Sequence, residues 1–218
     1  MKKKIFITVA IDSPAAAGAG TQSKLIAKHY NLFYLDTGKI YRYIGLLRLK
    51  FKSKFSHSFV KKKIDSLKVK SLSNKNLLSD DVAISAALIA KNKKIRDIVH
   101  KFQQNCAYKP PKKFSGSVLD GRDITSIQIK DAMFKFFITA SLNIRAQRRF
   151  EEYKRLKKHI SFNQVLKSIK KRDKSDRTRK YGPLKKTKDS ILINTTNLSK
   201  RACFLKIKKI MDKKIQKI

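Results

Sequence analysis

The sequence is short of three things: cysteine, acidic residues and long apolar runs. Its only two cysteines, Cys106 and Cys203, show none of the spacings of a zinc or redox site. This pattern argues against a disulfide framework and is typical of a reducing compartment. No apolar run approaches the ~20 residues that a membrane-spanning helix needs, so we expect no membrane partner.

The first residues, MKKKIFITVAIDSPAAAGAG, imitate a secretory signal peptide, with basic residues before an apolar run and then small residues. The apolar run covers only residues 5–11, and Asp12 ends it. We therefore expect this segment to belong to the folded domain and the protein to be cytoplasmic.

The scarcity of acidic residues leaves a large positive charge: 54 Lys and Arg stand against 15 Asp and Glu, a formal net charge of +39. Such an excess invites a nucleic-acid interpretation. The basic residues are spread along a chain that is also rich in Ile, Asn and Phe, and they accompany no nucleic-acid-binding motif. Background codon bias explains this pattern equally well. We expect no nucleic-acid partner, although the field attracts small anionic substrates in either case.

Five short apolar segments alternate with helical patterns along the chain. The predicted strands are residues 5–11, 32–35, 117–119, 133–139 and 190–194. The predicted helices are residues 21–28, 39–49, 82–90, 94–106, 143–157, 162–173 and 199–215. In the last helix we expect Ala202, Leu205, Ile210 and Met211 to face inward. This alternation predicts an α/β fold with a parallel sheet covered on both faces, in a single domain of 218 residues.

The stretch IFITVAIDSPAAAGAGT is the one around which we expect the fold to be organised. A strand, a loop of small residues and a helix beginning near Thr21 place a helix N-terminus at the mouth of the sheet. The phosphate-loop template G-x-x-x-x-G-K-[ST] fits imperfectly. Gly18 is in place, but Ser13 occupies the first Gly position and Ala19 the Lys position, with Gly20 as one extra residue before Thr21.

Polar residues follow the first three predicted strands. They are residues 12–21, the triplet Asp36-Thr37-Gly38 with Tyr41 and Arg42 one turn later, and residues 120–123. Ligands of parallel sheets bind outside the carboxyl ends of the strands. Each segment alone could be an ordinary turn, but together they predict a site for an anionic ligand and a cation such as Mg²⁺.

Six segments make the chain resemble the bacterial cytidylate kinases, members of the nucleoside monophosphate kinase family. They are AIDSPAAAGAGT, YLDTGKIYR, KIRDIV, LDGRDI, KFFITASLNIRAQRR and KKRDKSDRTR, in the family's order. The resemblance implies a three-layer P-loop core with a five-stranded parallel sheet over residues 1–37, 101–142 and 183–218. It further implies an arm that binds the nucleoside monophosphate at 38–100 and a mobile helical lid at 143–182.

The implied reaction is transfer of the γ-phosphoryl group of ATP to CMP or dCMP, which yields ADP and CDP or dCDP. ATP is then the co-substrate and Mg²⁺ is the cofactor. Small nucleotides are the only partners that we expect, and we expect the protein to be a monomer. Phosphoryl transfer leaves the protein little covalent chemistry to perform, so alignment, charge neutralisation and exclusion of water are its main tasks.

By resemblance, the acceptor nucleotide is held by Thr37, Arg42, Arg96, Arg122, Asp123, Arg172, Asp176 and Arg179. Thr37 and Arg42 would hold its phosphate, and Arg122 would clamp it. Arg96 and Asp123 would read the cytosine, because a carboxylate accepts from the N4 amine and a guanidinium donates to N3 and O2. Uracil presents an acceptor at that edge, so Asp123 would repel it.

The resemblance also assigns the ATP site and the residues nearest to the chemistry. The ATP-binding residues are Pro14, Ala15, Ala16, Ala17, Gly18, Ala19, Gly20, Thr21, Arg148 and Arg149. The catalytic residues are Arg122, Arg172 and Arg177, and Thr21 would hold Mg²⁺ directly or through water. Solvated helix surface is the alternative for the pairs Arg148-Arg149 and Arg177-Arg179.

Several residues depart from the family pattern, above all Ala19 in place of the loop Lys. Ser13 requires a backbone conformation that a residue with a side chain tolerates. Ala87 stands where a hydroxyl is common. Three functions therefore stay open: a (d)CMP kinase with a weakened loop, an inactive nucleotide-binding homologue, and a kinase of another small acceptor. The retained acceptor and lid residues favour the first.

Overall fold

A computed structural model describes residues 5–217; the basic start of the signal-like segment, residues 1–4, and residue 218 lie outside the described residues. Five strands form one sheet, namely β1 (Ile7–Asp12), β2 (Phe33–Asp36), β3 (Gly116–Gly121), β4 (Phe134–Thr139) and β5 (Ile191–Asn194). All the pairings are parallel, and the strand order is β2-β3-β1-β4-β5. The predicted five-stranded parallel α/β sheet is confirmed.

Eight α-helices flank the sheet in the described part of the chain. They are α1 (Ala19–His29), α2 (Thr37–Lys50), α3 (His57–Asp65), α4 (Asp80–Ile89), α5 (Lys93–Tyr108), α6 (Leu142–Arg155), α7 (Phe162–Thr178) and α8 (Lys200–Ile215). Seven of them overlap the predicted helices given above, although α7 continues five residues beyond the predicted end at 173. The eighth, α3, lies within residues 51–76, where the weak periodicity of the sequence indicates a short helix among loops. None of these helices is long and apolar enough to cross a membrane.

The central strand β1 is buried at every position because helices cover both faces of the sheet. Val9 and Ile11 point into a core that contains Ile26 of α1 and Ile207 of α8. Ala10, on the opposite face, packs into a second core with residues of α2, α3 and α5. The result is three layers, with the alternation of β1 dividing its side chains between two cores.

The inward face of α8 differs from the prediction. Cys203, Ile207 and Met211 are the buried residues of this helix, whereas Leu205 is 50% exposed. Ala202 is exposed too, and Ile210 is only half-buried. Apolar residues recur on more than one side of α8, and contact with the β1 and β4 side of the sheet selects the i, i+4 stripe that begins at Cys203.

The sheet register brings the polar segments to one edge. Asp12 at the end of β1 lies opposite Gly121 of β3, and Asp36 of β2 lies opposite Asp120. The loops after β1, β2 and β3 therefore leave the sheet side by side. Above them, α6 and α7 pack against each other around a small core of their own, formed by Ala146, Val165 and Ile169.

Candidate active site

The phosphate loop, residues 12–21, joins β1 to α1 and carries two residues in the left-handed region. Gly18, the N-cap of α1, has φ 95°, which a glycine adopts without strain. Ala16 has φ 59°, which its Cβ disfavours. Ser13 has no positive φ, so it replaces a glycine without strain, as its position requires. The strain of this loop lies at Ala16.

Ala19 opens α1 with its methyl group buried beside Ala17 in the core of the sheet. The position predicted for a phosphate-binding lysine therefore offers backbone N–H groups and no charge. The guanidinium of Arg148 comes close from α6, since its Nη1 lies 4.0 Å from the point that a Cβ on Gly18 would occupy. A cation thus stands beside the loop, although it comes from another element.

A cavity of 460 Å³, here called the loop cleft, opens beside the phosphate loop. Predicted ATP-site residues in its wall are Ala16, Ala17, Gly18, Thr21, Arg148 and Arg149. Thr195, which the sequence did not indicate, organises this wall. It accepts from Arg148 Nη1 at 2.9 Å through its hydroxyl, and this hydroxyl donates to the carbonyl of Ala17 at 3.1 Å.

Arg149 contacts two side chains of its own helix, α6. It forms an ion pair with Glu152 at 2.8 Å and lies over the ring of Tyr153, 4.6 Å from the centroid. Because Arg149 also lines the second cavity described next, it stands between the two cavities.

A second cavity, the arginine cleft, has a volume of 330 Å³ and lies outside the ends of β2 and β3. Its wall contains seven predicted acceptor-site residues, Thr37, Arg42, Arg122, Asp123, Arg172, Asp176 and Arg179. Arg96, the eighth, lies buried behind Asp123. Arg177 is different: it is exposed on α7 and lines neither cleft. The structure thus brings together all the predicted acceptor residues and leaves one predicted catalytic arginine outside.

Asp123 is the buried centre of one end of the arginine cleft. Its Oδ2 pairs with Arg96 Nη2 and accepts from Gln128 Nε2 at 2.8 Å, and its Oδ1 lies 3.6 Å from Arg179 Nη2. Gly182, with φ 60°, brings the chain down over this pair, because a Cβ there would collide with the Arg96 guanidinium. The arrangement presents one carboxylate and two guanidiniums to a planar polar ligand.

Guanidinium groups outnumber carboxylates at the other end of the arginine cleft. Asp176 lies 2.9 Å from Arg122 Nε, 3.8 Å from Arg172 Nε and 3.5 Å from Arg179 Nη1. Although burial opposes it, the Arg122 charge holds the pKa of Asp176 below its usual value. Burial and then repulsion from Arg122 lower the pKa of Arg172. This surplus of positive charge suits a phosphate group.

Two predicted phosphate contacts are engaged within the protein. Thr37 donates its hydroxyl proton to the carbonyl of Asp120 at 2.7 Å, which leaves its backbone N–H, at the start of α2, for an anion. Arg42 donates to the carbonyl of Leu77 at 2.7 Å, and burial followed by repulsion from Arg149 lowers its pKa.

Carboxylates collect between the phosphate loop and the arginine cleft. Burial, followed by repulsion from Asp36, raises the pKa of Asp120 to about 7, and Tyr34 donates its hydroxyl proton to it at 3.0 Å. Among residues 5–217, no group of three or more His, Cys, Asp or Glu side chains could hold a metal ion by itself. Mg²⁺ fits this site as an ion bound partly by phosphate oxygens, since it needs only one or two protein carboxylates there.

Asp12 ties the phosphate loop to the turn that follows Asp123. Its carboxylate accepts from the backbone N–H of Ile124 at 2.7 Å, from the N–H of Thr125 at 2.9 Å and from the Thr125 hydroxyl at 2.6 Å. Burial raises the pKa of Asp12 to about 6 against these hydrogen bonds. The hydroxyl of Thr125 thus donates to a buried carboxylate.

The sequence and the fold were each compared with those of known proteins. A sequence model described as cytidylate kinase matches residues 9–213. The cytidylate kinase of Clostridium botulinum strain Loch Maree is 38% identical over 95% of this chain and 95% of its own length. That of Thermosipho melanesiensis is 36% identical over 94% and 97%. A solved structure of an uncharacterized protein from Eubacterium ventriosum superimposes with a TM-score of 0.55 at 17% identity, covering 94% of this chain and 98% of that chain, which supports the fold alone.

Proposed function

This chain belongs to the cytidylate kinase family, and from this premise we propose that it transfers the γ-phosphoryl group of ATP to CMP or dCMP, which yields ADP and CDP or dCDP. The observation that carries the proposal is the pairing of Asp123 with Arg96 and Arg179 in the wall of a cleft rich in further arginines. A cytosine needs the carboxylate and its paired guanidiniums, and the phosphate of the same nucleotide needs the further arginines nearby.

The acceptor orientation follows from the two ends of the arginine cleft. The cytosine lies against Asp123, and its phosphate lies at the end that holds Arg122 and Arg172, beside the carboxyl end of β3. ATP lies in the loop cleft with its phosphates on the N–H groups at the start of α1. Arg149, which lines both clefts, stands where the γ-phosphoryl group passes from one to the other.

In the reaction, an oxygen of the acceptor phosphate bonds to the γ-phosphorus while the bond to the β-bridging oxygen breaks, and its electron pair leaves with ADP. Arg122 and Arg172 neutralise the acceptor phosphate, so that it approaches the γ-phosphoryl group without repulsion. When bound, Mg²⁺ adds positive charge on the ATP oxygens, and Thr21, Asp36 and Asp120 are the residues that would hold it, partly through water. The residues from 143 to 182, which include α7 and all of α6 except its first residue, act as a lid that excludes water.

The two cysteines in thiol form, Cys106 and Cys203, support a cytoplasmic enzyme of pyrimidine nucleotide metabolism. We expect it to act as a monomer, which light scattering of the purified protein would test. An inactive homologue and a kinase of another acceptor are the competing functions, and the retained cluster around Asp123 and Asp176 argues against both.

A coupled assay that records ADP formation with ATP and CMP, dCMP, UMP or AMP tests the proposal. CMP and dCMP should be phosphorylated best, and Arg122→Ala should lower the turnover number at least about 100-fold, as expected for loss of a preorganised charge. Arg201→Ala, an exposed arginine of α8, is the matched control and should be unchanged. If the protein forms no ADP from ATP in the presence of CMP or dCMP, the proposed function is refuted.

A further inference from the structure

Two residues behind Asp123 extend its hydrogen-bond network away from the arginine cleft. Gln128 Nε2 donates to Asp123 Oδ2 at 2.8 Å, and Gln128 Oε1 lies 2.5 Å from Nδ1 of His100. Gln128 is 3% exposed and His100 is half-buried. Neither residue lines the arginine cleft, so any effect on a ligand passes through Asp123.

The donors and acceptors of this network determine its orientation. Gln128 Oε1 can only accept, so His100 must carry its proton on Nδ1 and donate it. A flipped amide would set Oε1 against the Asp123 carboxylate, an unfavourable contact in a buried place, so the carboxylate determines the orientation of the amide. The hydrogen bond from His100 then fixes the position of the Gln128 amide from its other side.

Rigid elements hold both members of the network. His100 lies in the middle of α5, one turn after Arg96, so the two side chains share a helix face. Gln128 ends the turn over residues 124–128, whose start is anchored on Asp12 through Ile124 and Thr125. The network thus joins α5 to that turn at the point where Asp123 needs a fixed orientation.

As a consequence, the two carboxylate oxygens of Asp123 have different partners. Oδ2 accepts hydrogen bonds from Arg96 and Gln128, whereas Arg179, at 3.6 Å, is the only charged partner of Oδ1 among residues 5–217. Oδ1 is therefore the oxygen with lone-pair capacity for a donor on the ligand. A carboxylate free to rotate would offer either oxygen and would lose this directionality.

Resting on the proposed function, we propose that Gln128 and His100 are positioning residues for acceptor selectivity. They orient Asp123 so that Oδ1 receives the amine of a base with an exocyclic donor and repels a base with a carbonyl at that place. They touch neither nucleotide, and their effect is on the ratio of CMP to UMP affinity.

The experiment measures the dissociation constants of CMP, UMP and ATP for the full chain by isothermal titration calorimetry. Gln128→Leu, close in size but without donor or acceptor, should lower the CMP to UMP affinity ratio about tenfold, because it removes a hydrogen bond to a charged group. ATP affinity should stay within about twofold. A merely structural loss would weaken CMP and UMP equally and would overturn the proposal.

His100 is tested by a matched pair of substitutions. His100→Leu removes the donor and should lower the ratio severalfold, whereas His100→Asn keeps an amide N–H near the Nδ1 position and should restore it to within about twofold. Equal ratios for the two variants would overturn the role of His100. In the background of Asp123→Asn, Gln128→Leu should no longer change the ratio, because the two residues act as one unit.

These experiments distinguish failure of the proposed function from failure of the positioning role. Absence of CMP turnover in the coupled assay rejects the kinase, whereas the positioning role depends on binding ratios measured without ATP. If the wild-type protein turns over CMP and Gln128→Leu keeps the wild-type CMP to UMP affinity ratio, the positioning role alone is rejected.

Discussion

The carboxylate of Asp173 accepts a hydrogen bond from the backbone N–H of Ala15 at 3.3 Å, and this bond links α7 to the phosphate loop. Arg145 strengthens the link, because its Nη1 lies 2.7 Å from Asp173 and 3.0 Å from the Ala15 carbonyl that accepts from it. A residue of α7, within the proposed lid, thus contacts a loop whose N–H groups are expected to receive phosphates.

This contact makes the lid testable. Binding of a bisubstrate nucleotide should slow amide hydrogen exchange across residues 143–182 while β1 and β3 stay unchanged, because phosphates neutralise the repelling arginines. Asp173→Asn should weaken the ion pair with Arg145 and raise exchange in α7 of the free protein. Lys174→Ala, an exposed neighbour, is the control. Equal protection of α7 with and without nucleotide would contradict a closing lid.

The missing loop lysine leads to a second prediction. Ala19→Lys should raise the turnover number about 10- to 100-fold and tighten ATP binding much less, because the charge acts mainly as the phosphoryl group moves. Ala19→Met controls for side-chain length. If Ala19→Lys is no faster than the parent protein, another cation already fills the role. Combining it with Arg148→Ala or Arg177→Ala then shows which one, since the lysine would restore the rate that the responsible arginine supplied.

Strain at Ala16 gives a third prediction. The left-handed conformation costs an L-residue about 1–2 kcal/mol, and the greater freedom of an unfolded glycine offsets about 0.4–1 kcal/mol of that. Ala16→Gly should therefore raise the free energy of unfolding by about 0.5–1 kcal/mol in urea denaturation. Ala17→Gly, a buried neighbour without positive φ, should lower it. A destabilised Ala16→Gly protein would mean that its methyl contacts outweigh the strain.

Asp120 gives a pH-dependent prediction. Its pKa in the folded protein is about 7, above the ordinary value of 3.8, so the folded state binds the proton more tightly than the unfolded state does. The stabilisation due to the proton is complete below pH 3.8 and is lost as pH rises through 7. Asp120→Asn should therefore stabilise the protein without Mg²⁺ by a few kcal/mol at pH 8 and by much less at pH 5, in melting or urea experiments.

Asp212 is the control of opposite sign for this experiment. Hydrogen bonds from Lys208 and Tyr30 lower its pKa, so its ionised form stabilises the fold. Asp212→Asn should lower stability at pH 8, and the loss should shrink as the carboxylate is protonated in acid. A gain from Asp120→Asn that is equal at pH 5 and pH 8 would rule out relief of the buried charge as its cause.

The fifth prediction concerns the base. Asp123→Asn should erode the preference for CMP over UMP at least about tenfold, because the amide can turn its N–H₂ group toward the uracil carbonyl. Competition binding with both monophosphates measures this effect. Asp131→Asn, an aspartate at the surface, is the control. Equal affinity of the wild-type protein for CMP and UMP would remove the base-reading role.

The sequence predicted the sheet, the helices and the residues of the arginine cleft, because motif spacing and the carboxyl ends of parallel strands determine them. It did not predict hydrogen bonds between residues that are far apart in the sequence. Arg145 meets Ala15, and Thr195 meets Ala17, across most of the chain, and no local pattern marks such pairs. The residues next to Gln128 in the sequence indicate only an ordinary turn, so its contact with His100 could not be predicted.

The directions of the side chains on α7 and α8 could not be predicted from the sequence either. Arg177 shares the family motif with Asp176, yet successive helical residues differ by about 100° in direction, and it faces solvent. On α8, docking against the sheet selected Cys203 over Leu205. Both outcomes depend on which surface the helix meets, and periodicity alone does not contain that information.

Asp12 joins the segment expected to receive ATP to the segment expected to receive the acceptor, so we expect the two nucleotides to bind with heterotropic cooperativity. One carboxylate ends the strand that leads into the phosphate loop and fixes the turn that begins beside Asp123. A displacement of either segment changes the same three hydrogen bonds. Thermodynamic linkage requires the effect to be mutual: by whatever factor ATP alters the affinity for the acceptor, the acceptor alters the affinity for ATP.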